Sequence, residues 1–130
     1  MPPEFSVTLE ATLASTEDPE KVLGAVRSIL GEAPCTVEKG SGLIRVKTSD
    51  SGSLDGLRDQ LRDRHVRAAA RRRFMAGREG ERTVVMINRQ AAAAGVTALC
   101  DSPEESPMGP LILTLESERL DELIEWLTGY

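Results

Sequence analysis

The chain has 130 residues, 40% of them apolar and 28% charged, and a formal net charge of −5. That length fits one domain that can bury its own core, and the composition is that of a globular protein rather than a disordered one. No apolar run approaches the ~18 residues of a membrane helix. The opening MPPEFSVTLE has neither the basic nor the apolar region of a secretory signal. Membrane, secreted-disulfide and fibrous classes are excluded, and a cytoplasmic location is expected.

Residues 5–13 alternate, with Phe5, Val7, Leu9, Ala11 and Leu13 on one side, which predicts a half-buried strand. Asp18 followed by Pro19 predicts a helix start, because the carboxylate accepts free first-turn amides and proline lacks none that is needed. Val22, Ala25, Val26, Ile29 and Leu30 form its apolar stripe, and Gly31 ends it. Cys35–Glu38 and Leu43–Lys47 read as two short strands joined by Lys39-Gly40-Ser41-Gly42. Ser53 is the expected cap of a second helix with Leu54, Leu57 and Leu61 inside. The helical pattern continues, or breaks briefly, near His65, resumes through Val66, Ala69, Ala70 and Phe74, and ends at Gly77 to Gly80.

The β-branched run Thr83–Ile87 predicts a central strand. Asn88–Gly95 is a short Ala-rich piece, Val96–Cys100 another strand, and 101–110 a loop rich in proline and glycine. Leu111, Leu113 and Leu115 alternate as a strand. A last helix, capped near Ser117, turns Leu120, Leu123, Ile124 and Leu127 inward. Strands joined by hairpins and mixed with helices predict an α+β class: a single domain over 1–130, with a largely antiparallel or mixed sheet and helices mainly on one face.

Catalytic patterns are missing from the sequence. The single histidine, His65, lies among arginines with no Ser or Cys partner at a recognisable spacing, and no phosphate-binding glycine loop follows a strand. Cys35 and Cys100 read as reduced, buried thiols. Two cysteines and one distant histidine are too few for a metal site. The carboxylates Glu118, Asp121, Glu122 and Glu125 read as the wet face of the last helix. No catalytic residue, metal or cofactor is therefore expected, and the protein is read as a non-enzyme.

Charge is segregated along the chain. Residues 58–89 hold ten arginines against four acids, a local +6, while residues 90–130 hold eight acids against Arg119. Such asymmetry predicts a basic face opposed to an acidic one. On a helical wheel Arg64, Arg67 and Arg71 fall within about 60°, and Gln60 joins them if the helix is continuous. Guanidinium forks in a row match successive phosphates and position a nucleic acid without reading its sequence. Arg73 falls on the apolar side and must pair, snorkel or follow a helix end. Phe5 and Phe74 read as core, which leaves no row of aromatic platforms for single-stranded bases. Structured or duplex RNA is the expected nucleic acid. Asn88, Arg89 and Gln90 close a strand, where Asn88 can cap the next turn or the triplet can touch phosphate or sugar.

Four segments taken in order carry a resemblance: Thr16-Glu17-Asp18-Pro19-Glu20-Lys21-Val22, Asn88-Arg89-Gln90-Ala91-Ala92, Glu105-Ser106-Pro107-Met108-Gly109-Pro110-Leu111-Ile112 and Leu123-Ile124-Glu125-Trp126-Leu127. Over nearly the whole chain they resemble a family of small archaeal proteins of uncharacterised role labelled predicted RNA-binding, in some members linked by inference to the exosome. The resemblance implies an α+β fold like that of the ribosomal protein that binds 5S RNA, and it brings no catalytic residues. The arginine density at 71–73 departs from that family.

Two functions follow as expectations. In the first, the chain binds structured or double-stranded RNA through its backbone, with Arg64, Arg67, Arg71 and Arg78 on phosphates and Asn88, Arg89 and Gln90 at the rim. In the second, it is a non-enzymatic structural or protein-interaction module, as a homodimer or with another protein partner, because arginine also favours protein interfaces. The first requires a coherent cationic surface; carboxylates standing beside each guanidinium would remove it.

Overall fold

The computed structural model describes residues 2–40, 42–63, 65–106 and 108–129. The strands are β1 (Ser6–Thr12), β2 (Thr36–Gly40), β3 (Leu43–Thr48), β4 (Arg78–Glu79), β5 (Arg82–Ile87), β6 (Leu99–Cys100) and β7 (Leu111–Glu116). The helices are α1 (Pro19–Leu30), α2 (Asp55–Asp63), α3 (Arg67–Ala76), α4 (Arg89–Ala93) and α5 (Leu120–Leu127), with a 3-10 turn at Pro103–Glu105. The seven strands form one sheet in the order β2-β3-β1-β7-β5-β4, with β6 pairing the far end of β5. Every pairing is antiparallel. The α+β class and the single small domain expected from sequence are the observed ones.

Alternation sets the layers. Val7, Leu9 and Ala11 of β1, Ile44 and Val46 of β3, Val85 and Ile87 of β5, and Leu111, Leu113 and Leu115 of β7 are all buried. They meet Val22, Val26 and Ile29 of α1, Leu57 and Leu61 of α2, and Leu120, Leu123 and Ile124 of α5 in one core. A one-residue slip in any of these strands would exchange the core set for its polar neighbours, so burial pins the register. The alternate residues, Thr8, Lys47, Ile112, Thr114, Val84 and Met86 among them, are half-buried or exposed on the other face.

Local chemistry matches the expected signals at several ends. Asp18 caps α1 by accepting from the Glu20 amide at 3.0 Å, and Gly31 leaves it with φ 67°. Asn88 caps α4 by accepting from the Ala91 amide at 2.9 Å. Other expectations are corrected. Ser53 does not cap α2: its hydroxyl donates to the Asp50 carbonyl at 2.8 Å and the helix begins later, at Asp55. The strand expected over 96–100 shrinks to Leu99–Cys100, and β2 runs on to Gly40; Ser41, in the expected hairpin loop, lies outside the described residues. β4 appears where sequence showed only a terminator, because Gly80 at φ 65° turns Arg78–Glu79 back onto β5. Cys100 is buried, but Cys35 is exposed.

Candidate functional site

The arginine row depends on the path between α2 and α3. That path breaks: α2 ends at Asp63, His65 takes φ 56°, and α3 starts at Arg67. Gln60 therefore leaves the row, its side-chain oxygen accepting from the Thr97 amide at 2.6 Å. Arg64 lies outside the described residues. The remaining three meet the last helix. Arg67 Nη1 donates to the Gly129 carbonyl at 3.1 Å, Arg71 pairs with Glu125, and Arg78 pairs with Asp121. From the other side Arg58 Nε donates to the Trp126 carbonyl at 2.8 Å, with its guanidinium 4.7 Å from the centroid of the Trp126 ring.

Residues 67, 71 and 78 thus run against 129, 125 and 121 as an antiparallel seam. Asp121 and Glu125 stand one turn apart on α5, and Arg58 and Arg67 reach carbonyls at its negative end. The basic and acidic faces that sequence places opposite each other stand against each other instead. Asp121 and Glu125 stay on the wet face of α5, with side chains 73% and 46% exposed, while they pair with Arg78 and Arg71. Arg73, on the apolar side of α3, donates to the Cys100 carbonyl at 3.1 Å and pairs with Asp101. Among the described arginines of α3, Arg72 alone has neither an ion pair nor a hydrogen bond.

Arg89 is buried, with 6% of its surface exposed, so it is not a rim contact for phosphate. It pairs with Glu17 at 2.9 Å and donates to the Thr12 carbonyl at 2.8 Å. Its amide donates to Ser106 Oγ at 3.0 Å, and that hydroxyl donates to Gln90 Oε1 at 3.1 Å. Asn88 Nδ2 reaches the Glu105 carbonyl at 3.2 Å, and Thr12 Oγ1 donates to Met108 O at 3.3 Å. The Asn88-Arg89-Gln90 triplet therefore ties the end of β1, the turn before α1 and the loop over 101–110 together. Three of the four segments that carried the family resemblance meet here. A desolvated ion pair is costly to break rather than a source of net stability, and a planar guanidinium fork is the group that can satisfy several acceptors at once.

A groove of about 650 Å³ lies where the solvent face of the sheet meets α3. Val84, Met86 and Ile112 supply apolar wall from the sheet, Ala69 and Ala76 from the helix, and Arg72, Cys100 and Asp101 also line it. Sequence reasoning missed it. Val84 and Met86 read there only as part of a β-branched strand, and what makes them a groove is α3 packing beside β5. Gly77 allows that packing: a Cβ at this position would collide with the Val84 carbonyl oxygen. Burial is the main cause that pushes the Cys100 thiol above the ordinary range, with the nearby Glu105 carboxylate adding to it. Such a thiol is not an activated nucleophile. Among the described residues no group of three or more His, Cys, Asp or Glu side chains could hold a metal ion. No described helix is long and apolar enough to cross a membrane.

No family model matches the chain. A UPF0201 protein of Metallosphaera sedula is 34% identical over 122 residues, covering 93% of this chain and 85% of its own length. A UPF0201 protein of Aeropyrum pernix is 38% identical over 124 residues, covering 93% of this chain and 83% of its own. The crystal structure of a UPF0201 protein from Methanococcus jannaschii shares the fold with a TM-score of 0.78 at 23% identity, over 96% of this chain and 93% of that one. With relatives of 34% and 38% identity that each cover more than nine-tenths of it, the chain belongs to the archaeal UPF0201 family.

Proposed function

We propose that this protein is a non-enzymatic interaction module that docks a polypeptide in the groove between α3 and the solvent face of β5 and β7. One observation carries this choice over RNA: Arg71 and Arg78 spend their charge on Glu125 and Asp121, whereas the groove beside them keeps Arg72 unpaired. A polyanion needs several free cations in a row. An apolar groove with one free guanidinium suits a partner carrying an acidic group beside an apolar side chain. Val84, at 39% exposure, and Met75, at 44%, are the apolar surface α3 and β5 leave uncovered near that arginine.

RNA binding, with the exosome link the resemblance implies, is the competing expectation, and one titration separates the two. A duplex RNA is added to the wild type and to an Arg71→Glu, Arg78→Glu double variant at low and at physiological salt. The module expects only non-specific association, on the order of 10⁻⁴ M at physiological salt, with no steep salt dependence specific to the wild type. Tight binding whose log affinity falls with log salt by about 0.7–0.9 per phosphate contact, and which the double variant loses, would overturn it.

A further inference from the structure

We propose that the polypeptide seated in this groove is a second copy of the chain. Each copy would insert its own acidic turn, Pro103–Glu105, and the exposed Met108 into the groove of the other. This rests on the interaction reading above and adds the identity of the partner.

Three observations converge on it. The groove asks for an acid beside an apolar side chain, and the loop over 101–110 displays that combination with its acid unpaired, whereas at the exposed Val37–Glu38 pair of β2 the acid is bridged to Arg45 at 3.5 Å. Glu104 is exposed and, among the described residues, has no ion pair or hydrogen bond. Met108 is 55% exposed, more than any other large apolar side chain described. The turn is also held before any partner arrives: the Asp101 amide donates to the Glu105 carboxylate, and Thr12 Oγ1 holds the Met108 carbonyl at 3.3 Å. A segment already in shape loses little freedom on docking.

Position supplies the third. Asp101 lines the groove, so the acidic turn leaves the chain from the groove's own rim. Insert and receptor share one corner of the molecule. A two-fold axis beside that corner exchanges both elements at once, which is the condition for a closed dimer instead of an open filament. Charge agrees: on a chain of net −5, Arg72 is a cation that a partner's carboxylate can approach without displacing one from the same chain.

Sedimentation equilibrium from micromolar to millimolar concentration reads the outcome on the full chain. The wild type is expected to dimerise, and Arg72→Glu and Glu104→Arg each to weaken the dimer by about tenfold or more. Combining the two inverts the pair and is expected to recover most of that loss. Both side chains are exposed and unpaired in the monomer, so thermal melting of the variants should match the wild type; a Met108→Asp variant checks the apolar half and should also weaken association. A wild type that stays monomeric at millimolar concentration overturns the proposal, as does a double variant no tighter than the singles. The first of these leaves the groove open to another polypeptide, whereas the interaction reading itself falls only with the RNA titration.

Discussion

Arginine meets carboxylate in two regions of this molecule, and the surroundings make the two unlike. At the end of the sheet, the side chains of Arg89 and Glu17 are 7% and 14% exposed, and the Arg89 fork is shared between Glu17 and the Thr12 carbonyl. Along α5, the pairs Arg71–Glu125 and Arg78–Asp121 keep side chains between 30% and 73% exposed. Water and salt screen the second kind, so each contributes little, while removal of one partner from the first leaves a charge stranded without solvent. The same pairing of residue types therefore builds a rigid joint in one place and an adjustable seam in the other. Arginine count alone says nothing about which is which.

The comparison can be broken at several points. Arg89→Met should cost about 3–5 kcal/mol in urea denaturation, because it strands the Glu17 carboxylate; a loss below 1 kcal/mol would show that the buried pair is replaceable. Gly77→Ala should cost about 1–3 kcal/mol, since the added methyl must push α3 away from the Val84 carbonyl. A melt unchanged from the wild type would refute that close approach.

Weaker effects are expected along the seam. Arg58→Ala removes the stacking on Trp126 and a bond to its carbonyl, and should cost about 1 kcal/mol. Arg71→Ala and Arg78→Ala should each cost less than about 1 kcal/mol, and less again at high salt. A salt-independent loss from either would move it into the class of Arg89.

A last test uses pH. Cys100 binds its proton more firmly folded than unfolded, so the folded state holds more protons at alkaline pH. Stability should be at its full value below the ordinary thiol range and fall as pH rises through it, toward the raised folded value. Cys100→Ala should flatten that fall.

Much of the fold was legible because local chemistry and burial agreed. Asp18, Pro19 and Gly31 bound α1 as their backbone preferences dictate, and the alternation in β1, β3 and β7 names the core face directly. Ser53 shows the limit: its amide and hydroxyl both donate to the Asp50 carbonyl in a turn, and the helix begins two residues later, so Ser53 sits ahead of the cap position. The candidate site was less legible. Arg67 and Arg71 share a helix face as the wheel places them, but a wheel holds no neighbouring helix. Nothing in the spacing of residues 67–78 indicates that Asp121 and Glu125 stand opposite. Arg89 read as a surface cation because a buried arginine is rare without partners, and those partners, Thr12 and Glu17, lie more than seventy residues away.

By itself the sequence determined most of the order of elements, with β4 missed, the α+β class with a largely antiparallel or mixed sheet, the core face of β1, β3 and β7 and the segregation of charge along the chain. These follow from periodicities and caps that act within a few residues, where the chain needs no knowledge of the rest of itself. Only the tertiary structure decided which charges cancel, that Arg89 is interior, and that Val84, Met86 and Ile112 border a groove with Arg72 beside it. Electrostatic worth depends on neighbours and solvent, and a concave surface exists only once two elements have packed, so neither can be written in the spacing of residues along a single segment.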